Sequence, residues 1–62
     1  MMSEKVLDVF YTEKGRLELV ELPSGYFLVR SIPEGMSKLE FQLFSSKSYH
    51  EANEYFEKKI GC

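Results

Sequence analysis

The chain has 62 residues, of which 44% are apolar and 29% charged, and its formal net charge is −2. This length predicts one small domain over residues 1–62, and the apolar content excludes an intrinsically disordered chain. The slightly acidic balance disfavours nucleic acid and anionic membranes as partners, and no run of residues approaches the ~18–20 apolar positions of a membrane span.

Strand signals begin near the N-terminus. Residues 5–11 are rich in β-branched and aromatic side chains and predict a first strand. A tight turn that ends at Gly15 leads to a second predicted strand over 16–22. The alternation of this strand breaks at Leu19 and Val20, which predicts either a bulge there or a strand that is buried on both faces.

Two further strands follow turns that contain Pro and Gly. The third, over 26–32, is apolar on both faces, as is typical of a strand buried on both sides. The fourth, over 38–44, alternates cleanly, except that Phe44 falls on its polar side. Because all the connections are only a few residues long, the four strands are predicted to form an antiparallel meander.

The C-terminal segment predicts a helix over 49–60. Ser48 and Glu51 have the spacing of a capping box, in which each side chain accepts from the other residue's backbone N–H group. Apolar residues recur at helical spacing along one stripe, at Tyr49, Ala52, Phe56 and Ile60. The predicted fold is therefore α+β, a four-stranded antiparallel β-meander followed by one C-terminal α-helix.

No residue pattern in the chain predicts catalysis. His50 is expected to be a solvent-exposed residue at the start of the helix, and Cys62 a frayed terminal thiol. Three strand acids, Glu18, Glu21 and Glu40, are expected to face outward, where they discourage edge pairing. We therefore predict a non-enzymatic protein with no catalytic residue, no cofactor and no metal site. The N-terminus lacks a signal-peptide pattern, so we expect a cytoplasmic location.

The second face of the sheet carries the main functional hypothesis. One helix covers only one face, while several strands carry bulky apolar residues on both, and an exposed apolar patch usually marks an interface. We therefore predict a homodimeric interaction or regulatory module that binds a protein partner through its sheet face or edge. The predicted interface residues are Phe10, Val20, Leu22, Phe27, Val29 and Phe44. The other interpretation is a twisted sheet that curls and hides part of this face.

An alternative hypothesis is single-stranded nucleic-acid binding through sheet aromatics and nearby cations. The predicted contacts are Tyr11, Arg16, Tyr26, Phe27 and Arg30. The order ββββα resembles, in topology alone, that of single-strand-binding coactivator domains that pair into dimers. The acidic balance of the chain argues against this alternative.

Overall fold

The computed structural model describes residues 3–35 and 39–61. Its elements, in chain order, are β1 (Lys5–Thr12), β2 (Gly15–Glu21), β3 (Phe27–Pro33), β4 (Phe41–Ser46) and α1 (Tyr49–Gly61). The strands form one antiparallel sheet in the order β1-β2-β3-β4, which confirms the predicted meander followed by one helix. Within the described ranges, no helix is long and apolar enough to cross a membrane.

The predicted boundaries agree with the structure to within one residue, except at the fourth strand. This strand begins at Phe41 rather than at 38 and continues to Ser46. Lys38, its predicted first residue, lies outside the described residues, as does Cys62.

One face of the sheet, called the helix side, packs against α1. Leu19 of β2 and Val29 of β3 are cross-strand partners, and both are fully buried in a core with Ala52 and Phe56 of α1. Burying a large apolar side chain in this way stabilises the fold by roughly 1.5–3 kcal/mol. Partly buried apolar residues surround the core: Leu7, Leu17, Phe27, Leu43, Phe44, Tyr55 and Ile60.

At Leu19 and Val20 the structure shows the second of the two predicted alternatives, a strand buried on both faces, and the irregularity lies opposite them, on β1. Val6 pairs with Val20 and Asp8 with Leu19, so Leu7 is the extra residue. The pairing of β2 with β3 is continuous. Leu19 therefore faces α1 while Val20 faces the other way, and both are fully buried.

A second bulge, at Leu43 of β4, changes the direction in which Phe44 points. Val29 pairs with Phe44, whereas the next residue of β3 pairs with Gln42, so Leu43 is extra. Phe44 consequently lies on the helix side and not on the polar side of the predicted alternation. There its ring stacks on that of Tyr55 in α1, with the ring centroids 4.9 Å apart and an interplanar angle of 8°.

The opposite face, called the far side, is buried without a helix over it. Val20, Leu28 and Ile32 are at most 4% exposed, although α1 packs on the other face. A flat sheet would leave these side chains in solvent, so the sheet curls toward the far side. The burial of these three residues agrees with the alternative interpretation of the sequence, in which a twisted sheet curls and hides part of its second apolar face.

The start of α1 is capped by three residues rather than two. The backbone N–H of Glu51 donates to the hydroxyl of Ser48 over 3.3 Å, as the capping box predicts. The return contact passes through Ser46, whose hydroxyl donates to the Glu51 carboxylate over 2.7 Å and accepts from the Ser48 N–H over 3.1 Å. The end of β4 is thereby tied to the first turn of α1.

Candidate functional site

A buried ion pair occupies the centre of the far side. Glu18 and Arg30 are cross-strand partners on β2 and β3, and their side chains are only 7% and 10% exposed. Two guanidinium nitrogens of Arg30, Nε and Nη2, lie 2.8 and 2.7 Å from the same carboxylate oxygen of Glu18. The other oxygen of Glu18 accepts from Nε of Arg16 over 2.7 Å. The prediction that Glu18 faces outward is wrong, since its side chain is buried. Two arginines compensate the cost of burying its charge.

Carboxylates from both edges of the sheet complete this network. Glu4, just before β1, lies 2.8 Å from Nη2 of Arg30, and Glu40, just before β4, lies 3.0 Å from Nη1. Since β1 and β4 are the outer strands, one guanidinium on β3 reaches side chains from both edges. These contacts require the curl of the sheet and help to hold it.

The electrostatics of the network keep its buried members ionised. Burial alone would raise the pKa of Glu18, but the hydrogen bonds from Arg16 and Arg30 outweigh it and hold that pKa below its usual value. Burial likewise opposes the charge of Arg30, but the hydrogen bonds to Glu4 and Glu18 raise the pKa of Arg30 above its usual value. Among the described residues, no buried side-chain nitrogen or oxygen lacks a hydrogen-bond partner. The network is therefore a charged cluster inside the fold whose buried polar atoms are paired with one another.

The six predicted interface residues do not form one surface. Val29, Phe27 and Phe44 lie on the helix side, where Val29 is fully buried and Phe27 packs edge to face against Tyr49, with centroids 5.5 Å apart. Val20 is fully buried on the far side. Two others complete the set: Phe10, on β1 and 38% exposed, and the half-buried Leu22, just after β2.

The predicted nucleic-acid contacts are only partly brought together: Arg16 and Arg30 bind the same carboxylate on the far side, and Phe27 lies on the other face. Tyr11 and Arg16 are cross-strand partners on the far side and border a groove of about 430 Å³ together with turn residues that include two acids. Arg30 is surrounded by carboxylates, while Phe27 packs on the opposite face. Tyr26 lies before β3, where its ring is 5.4 Å from the ammonium of a lysine.

His50 behaves as the sequence predicts. Its side chain is 85% exposed, and Nε2 lies 3.6 Å from the carboxylate of Glu54, one helical turn away. Within the part of the chain that is described, no group of three or more His, Cys, Asp or Glu side chains could hold a metal ion. His50 and Glu54 are thus neighbours on the exposed surface of α1.

One surface that the sequence does not predict is an uncharged end of the helix side that carries two exposed aromatic rings. Phe10, Leu17, Ser31 and Phe41 form a cross-strand row, with one residue from each strand. Phe10 and Phe41 are 38% and 52% exposed. The next row outward adds Thr12, Gly15 and Pro33. We call this surface the open end; it consists of Phe10, Thr12, Gly15, Leu17, Ser31, Pro33 and Phe41.

The position of α1 leaves Phe10 and Phe41 exposed, although Leu17 in the same row packs against the core. Only Lys47 and Ser48 separate β4 from α1, so α1 starts beside the end of β4 that is remote from Phe41. Its buried residues, Ala52 and Phe56, then pack in the row of Leu19 and Val29.

Comparisons with protein families, with curated proteins and with solved structures found no match to this chain. What the protein binds therefore has to follow from its own surfaces. Two of them are candidates, namely the open end with its two exposed rings and the groove beside Tyr11 and Arg16.

Proposed function

We propose that this chain is a small, non-enzymatic interaction module that binds a protein partner through the open end of its sheet. The observation that carries this proposal is the pair of exposed rings, Phe10 and Phe41, in one cross-strand row with Leu17. None of the seven residues of the open end is charged, in a chain of which 29% is charged. Large apolar side chains that are exposed together on a small domain favour an interaction site.

The open end is a better candidate than either edge of the sheet. Edge strands offer unpaired backbone groups to another strand, and a bulge is one of the features that prevents such pairing. Both outer strands carry a bulge, at Leu7 in β1 and at Leu43 in β4. The backbone of each outer strand is thus irregular at its bulge, so a partner strand could not form a continuous ladder of hydrogen bonds with it. Binding through the face of the sheet does not have this obstacle.

The proposal includes a homodimer, and the exposed area limits its strength. At 38% and 52% exposure, Phe10 and Phe41 leave about 200 Å² uncovered, since an aromatic side chain buries ~150–250 Å². A stable interface buries about 800 Å² on each partner. Two copies that pair through their open ends should therefore dissociate on dilution. Sedimentation equilibrium over a range of micromolar concentrations, with reductant present, measures this association.

Site-specific photo-crosslinking in cells tests the protein partner. A benzophenone side chain at position 41 should form adducts with one recurrent protein, and the same group at position 11 should not. Tyr11 is the matched control, because it is 76% exposed and lies on the far side next to Phe10 in sequence. The partner must then bind the purified chain, and Phe41→Ser must weaken that binding. Equal adducts from both positions would contradict the proposal. The module is also proposed to be cytoplasmic, which cell fractionation tests.

Single-stranded nucleic-acid binding has narrower support. Three of the five predicted contacts, Tyr11, Arg16 and Arg30, lie on the far side. The groove beside Tyr11 and Arg16, however, also contains Glu13 and Glu34. The guanidinium of Arg30 already contacts three carboxylates, so phosphate would have to displace them. Titration with a 20-nucleotide oligomer at low salt checks this alternative, and binding weaker than ~100 µM would end it, because non-specific binders reach that range.

A further inference from the structure

We propose that β1 is a releasable strand. It opens as a unit while the rest of the fold stays intact, and the ion pair between Glu4 and Arg30 is the latch that controls this opening. The inference does not rest on the proposed function. It depends on how little of β1 is buried, on which strands α1 holds, and on the place of Glu4 in the far-side network.

The core holds β1 only at its bulge. None of its eight residues, all of which the structure describes, is fully buried, and of these only Leu7 packs against the core. Leu7 is also the extra residue of the bulge, so the pairing with β2 is interrupted where the strand meets the core. Few buried apolar contacts are typical of a segment that opens below the free energy of global unfolding.

The other outer strand is fastened by the helix. β4 likewise has no fully buried residue, but Phe44 stacks on Tyr55 of α1, and the hydroxyl of Ser46 donates to the carboxylate of Glu51 over 2.7 Å. The contacts of α1 are mainly with β2, β3 and β4. The helix therefore holds these three strands together and leaves β1 to its pairing with β2.

Glu4 forms the polar tie between the β1 segment and the body of the sheet. Among the described residues, it is the only side chain of positions 3–12 with an ion pair or hydrogen bond to β3. Its carboxylate reaches past β2 and lies 2.8 Å from Nη2 of Arg30. Because the Glu4 side chain is 45% exposed, water and salt can compete for this contact.

Release of the latch does not leave a buried charge without a partner. Arg30 keeps both contacts to Glu18, at 2.8 and 2.7 Å, and its contact to Glu40, at 3.0 Å. A buried pair is costly to break because the remaining charge is then uncompensated, and this cost does not arise when Glu4 leaves. The latch can therefore open and close while the centre of the far side stays paired.

The turn after β1 provides a fixed pivot. The backbone N–H of Glu34 donates to the carbonyl oxygen of Lys14 over 2.9 Å, which joins this turn to the residue after β3. The hydroxyl of Thr12 donates to the carbonyl oxygen of Gly15 over 3.1 Å. The opening strand therefore moves away at its N-terminal end, where Glu4 lies, while the turn stays attached.

Release of β1 changes the surface on both faces of the sheet. Val20 is fully buried and has Val6 as its cross-strand partner, so opening uncovers Val20 and the outer edge of β2. It also removes Phe10 and Thr12 from the open end. The contact between Glu4 and Arg30 thereby controls which apolar residues the chain exposes.

Native-state hydrogen exchange, followed by NMR for individual backbone N–H groups at low denaturant concentrations, tests this inference. The groups that bond β1 to β2 should share one exchange rate, about tenfold or more above that of the groups that bond β2 to β3. Their rate should also depend less on denaturant, because the opening of one strand exposes less surface than global unfolding.

Two carboxylates of similar exposure provide a matched pair of variants. Glu4→Gln should speed exchange of the N–H groups between β1 and β2 by roughly 1.5-fold to fivefold, the effect of one exposed ion pair. Glu40→Gln is the control, because Glu40 is 42% exposed and contacts the same guanidinium from the opposite edge. That contact stays in place when β1 opens, so Glu40→Gln should leave this exchange rate unchanged.

Three results would overturn the inference. The first is one common rate for the N–H groups of all four strands. The second is a rate that rises gradually toward Lys5, since that is fraying of a chain end and not release of a strand. The third is an equal effect of Glu4→Gln and Glu40→Gln on the groups between β1 and β2, including no effect from either. Crosslinking from position 41 is independent of these results, so the proposed function stands or falls separately.

Discussion

Glu18 and Arg30 face each other across β2 and β3, and two nitrogens of Arg30 lie within 2.8 Å of one oxygen of Glu18. Both side chains are at least nine-tenths buried. In such a pair, the loss of one partner leaves an uncompensated buried charge, whereas the loss of both does not.

Replacement of Arg30 alone should therefore be costly. We expect Arg30→Met to lower the free energy of unfolding by about 3–5 kcal/mol, because Glu18 would remain buried with only Arg16 beside it. The double variant with Glu18→Leu should recover most of this loss. Urea denaturation of both measures the difference. Glu40→Gln is the control, since Glu40 is 42% exposed and its contact should contribute under ~1 kcal/mol. A double variant no more stable than Arg30→Met would contradict this account.

Stability should fall on acidification because of Glu18. Its pKa in the folded state lies below the ordinary value of 4.5, to which it returns on unfolding. The unfolded chain therefore binds more protons in this window, and stability rises with pH. The contribution is fully present above about pH 4.5 and is lost as the pH falls through the lower pKa of the folded state. Thermal melts between pH 7 and pH 3 measure this dependence, and Glu18→Gln should flatten it. An unchanged slope in that variant would assign the acid sensitivity to other carboxylates.

Phe56 should be the most sensitive position of α1. It is 1% exposed and packs against Leu19 and Val29, so Phe56→Ala should lower the free energy of unfolding by about 3–5 kcal/mol. Phe41→Ala removes the same atoms from a side chain that is 52% exposed, and it should cost clearly less. Urea denaturation gives the free energy of unfolding of both variants. Because both lose the same atoms, the difference between the two losses reports burial and not residue type. Equal losses would mean that the open end is part of the core.

The cap of α1 should depend on Ser46 as well as on Ser48. Ser48→Ala removes the acceptor for the Glu51 N–H, and a lost N-cap costs about 1 kcal/mol. Ser46→Ala removes the link between Ser48 and Glu51 and should cost a similar amount, ~0.5–1.5 kcal/mol. Ser45→Ala is the control, because Ser45 is exposed and has no side-chain hydrogen bond among the described residues. Melting curves check all three, and a Ser46→Ala curve equal to the Ser45→Ala curve would exclude the link.

Gly15 should tolerate no side chain. Because a Cβ atom there would overlap the backbone of β3 and the φ angle is +144°, Gly15→Ala should cost about 3 kcal/mol or more. Gly25, with a φ angle of +96°, has open space around it, so Gly25→Ala should show only the cost of the backbone conformation, ~1–2 kcal/mol. Chemical denaturation distinguishes the two, and a smaller loss at Gly15 than at Gly25 would be inconsistent with the close approach.

The order and type of the elements could be predicted because the local signals agree with one another. Turn residues separate runs of strand-forming residues, and Ser48 marks the start of α1. The bulge at Leu43 had a signal in the sequence, because Phe44 breaks the alternation of the fourth strand. The bulge at Leu7 had none: the break in alternation at Leu19 and Val20 reflects burial of β2 on both faces, and the extra residue lies in β1.

The buried network had a signal that the sequence analysis did not use. Arg30 shares one face of its strand with Leu28 and Ile32, and a charge on an apolar face requires a partner. Glu18 could have been identified as that partner only with the register of β2 and β3, since Glu21 and Glu40 have the same local appearance. The open end could not be predicted either, because exposure of Phe41 depends on where α1 begins and which row it covers.

The burial of β2 on both faces has a consequence for how the chain selects a single alignment. If β2 slipped by one position, Leu19 and Val20 would exchange faces, and apolar burial alone would barely distinguish the two arrangements. The slip would, however, place Glu18 under α1 and leave Arg30 opposite an apolar side chain. Glu18 and Arg30 therefore specify the native strand register among registers that bury a similar apolar area. A variant with two apolar residues in their place can equal the protein in stability and still populate more than one alignment.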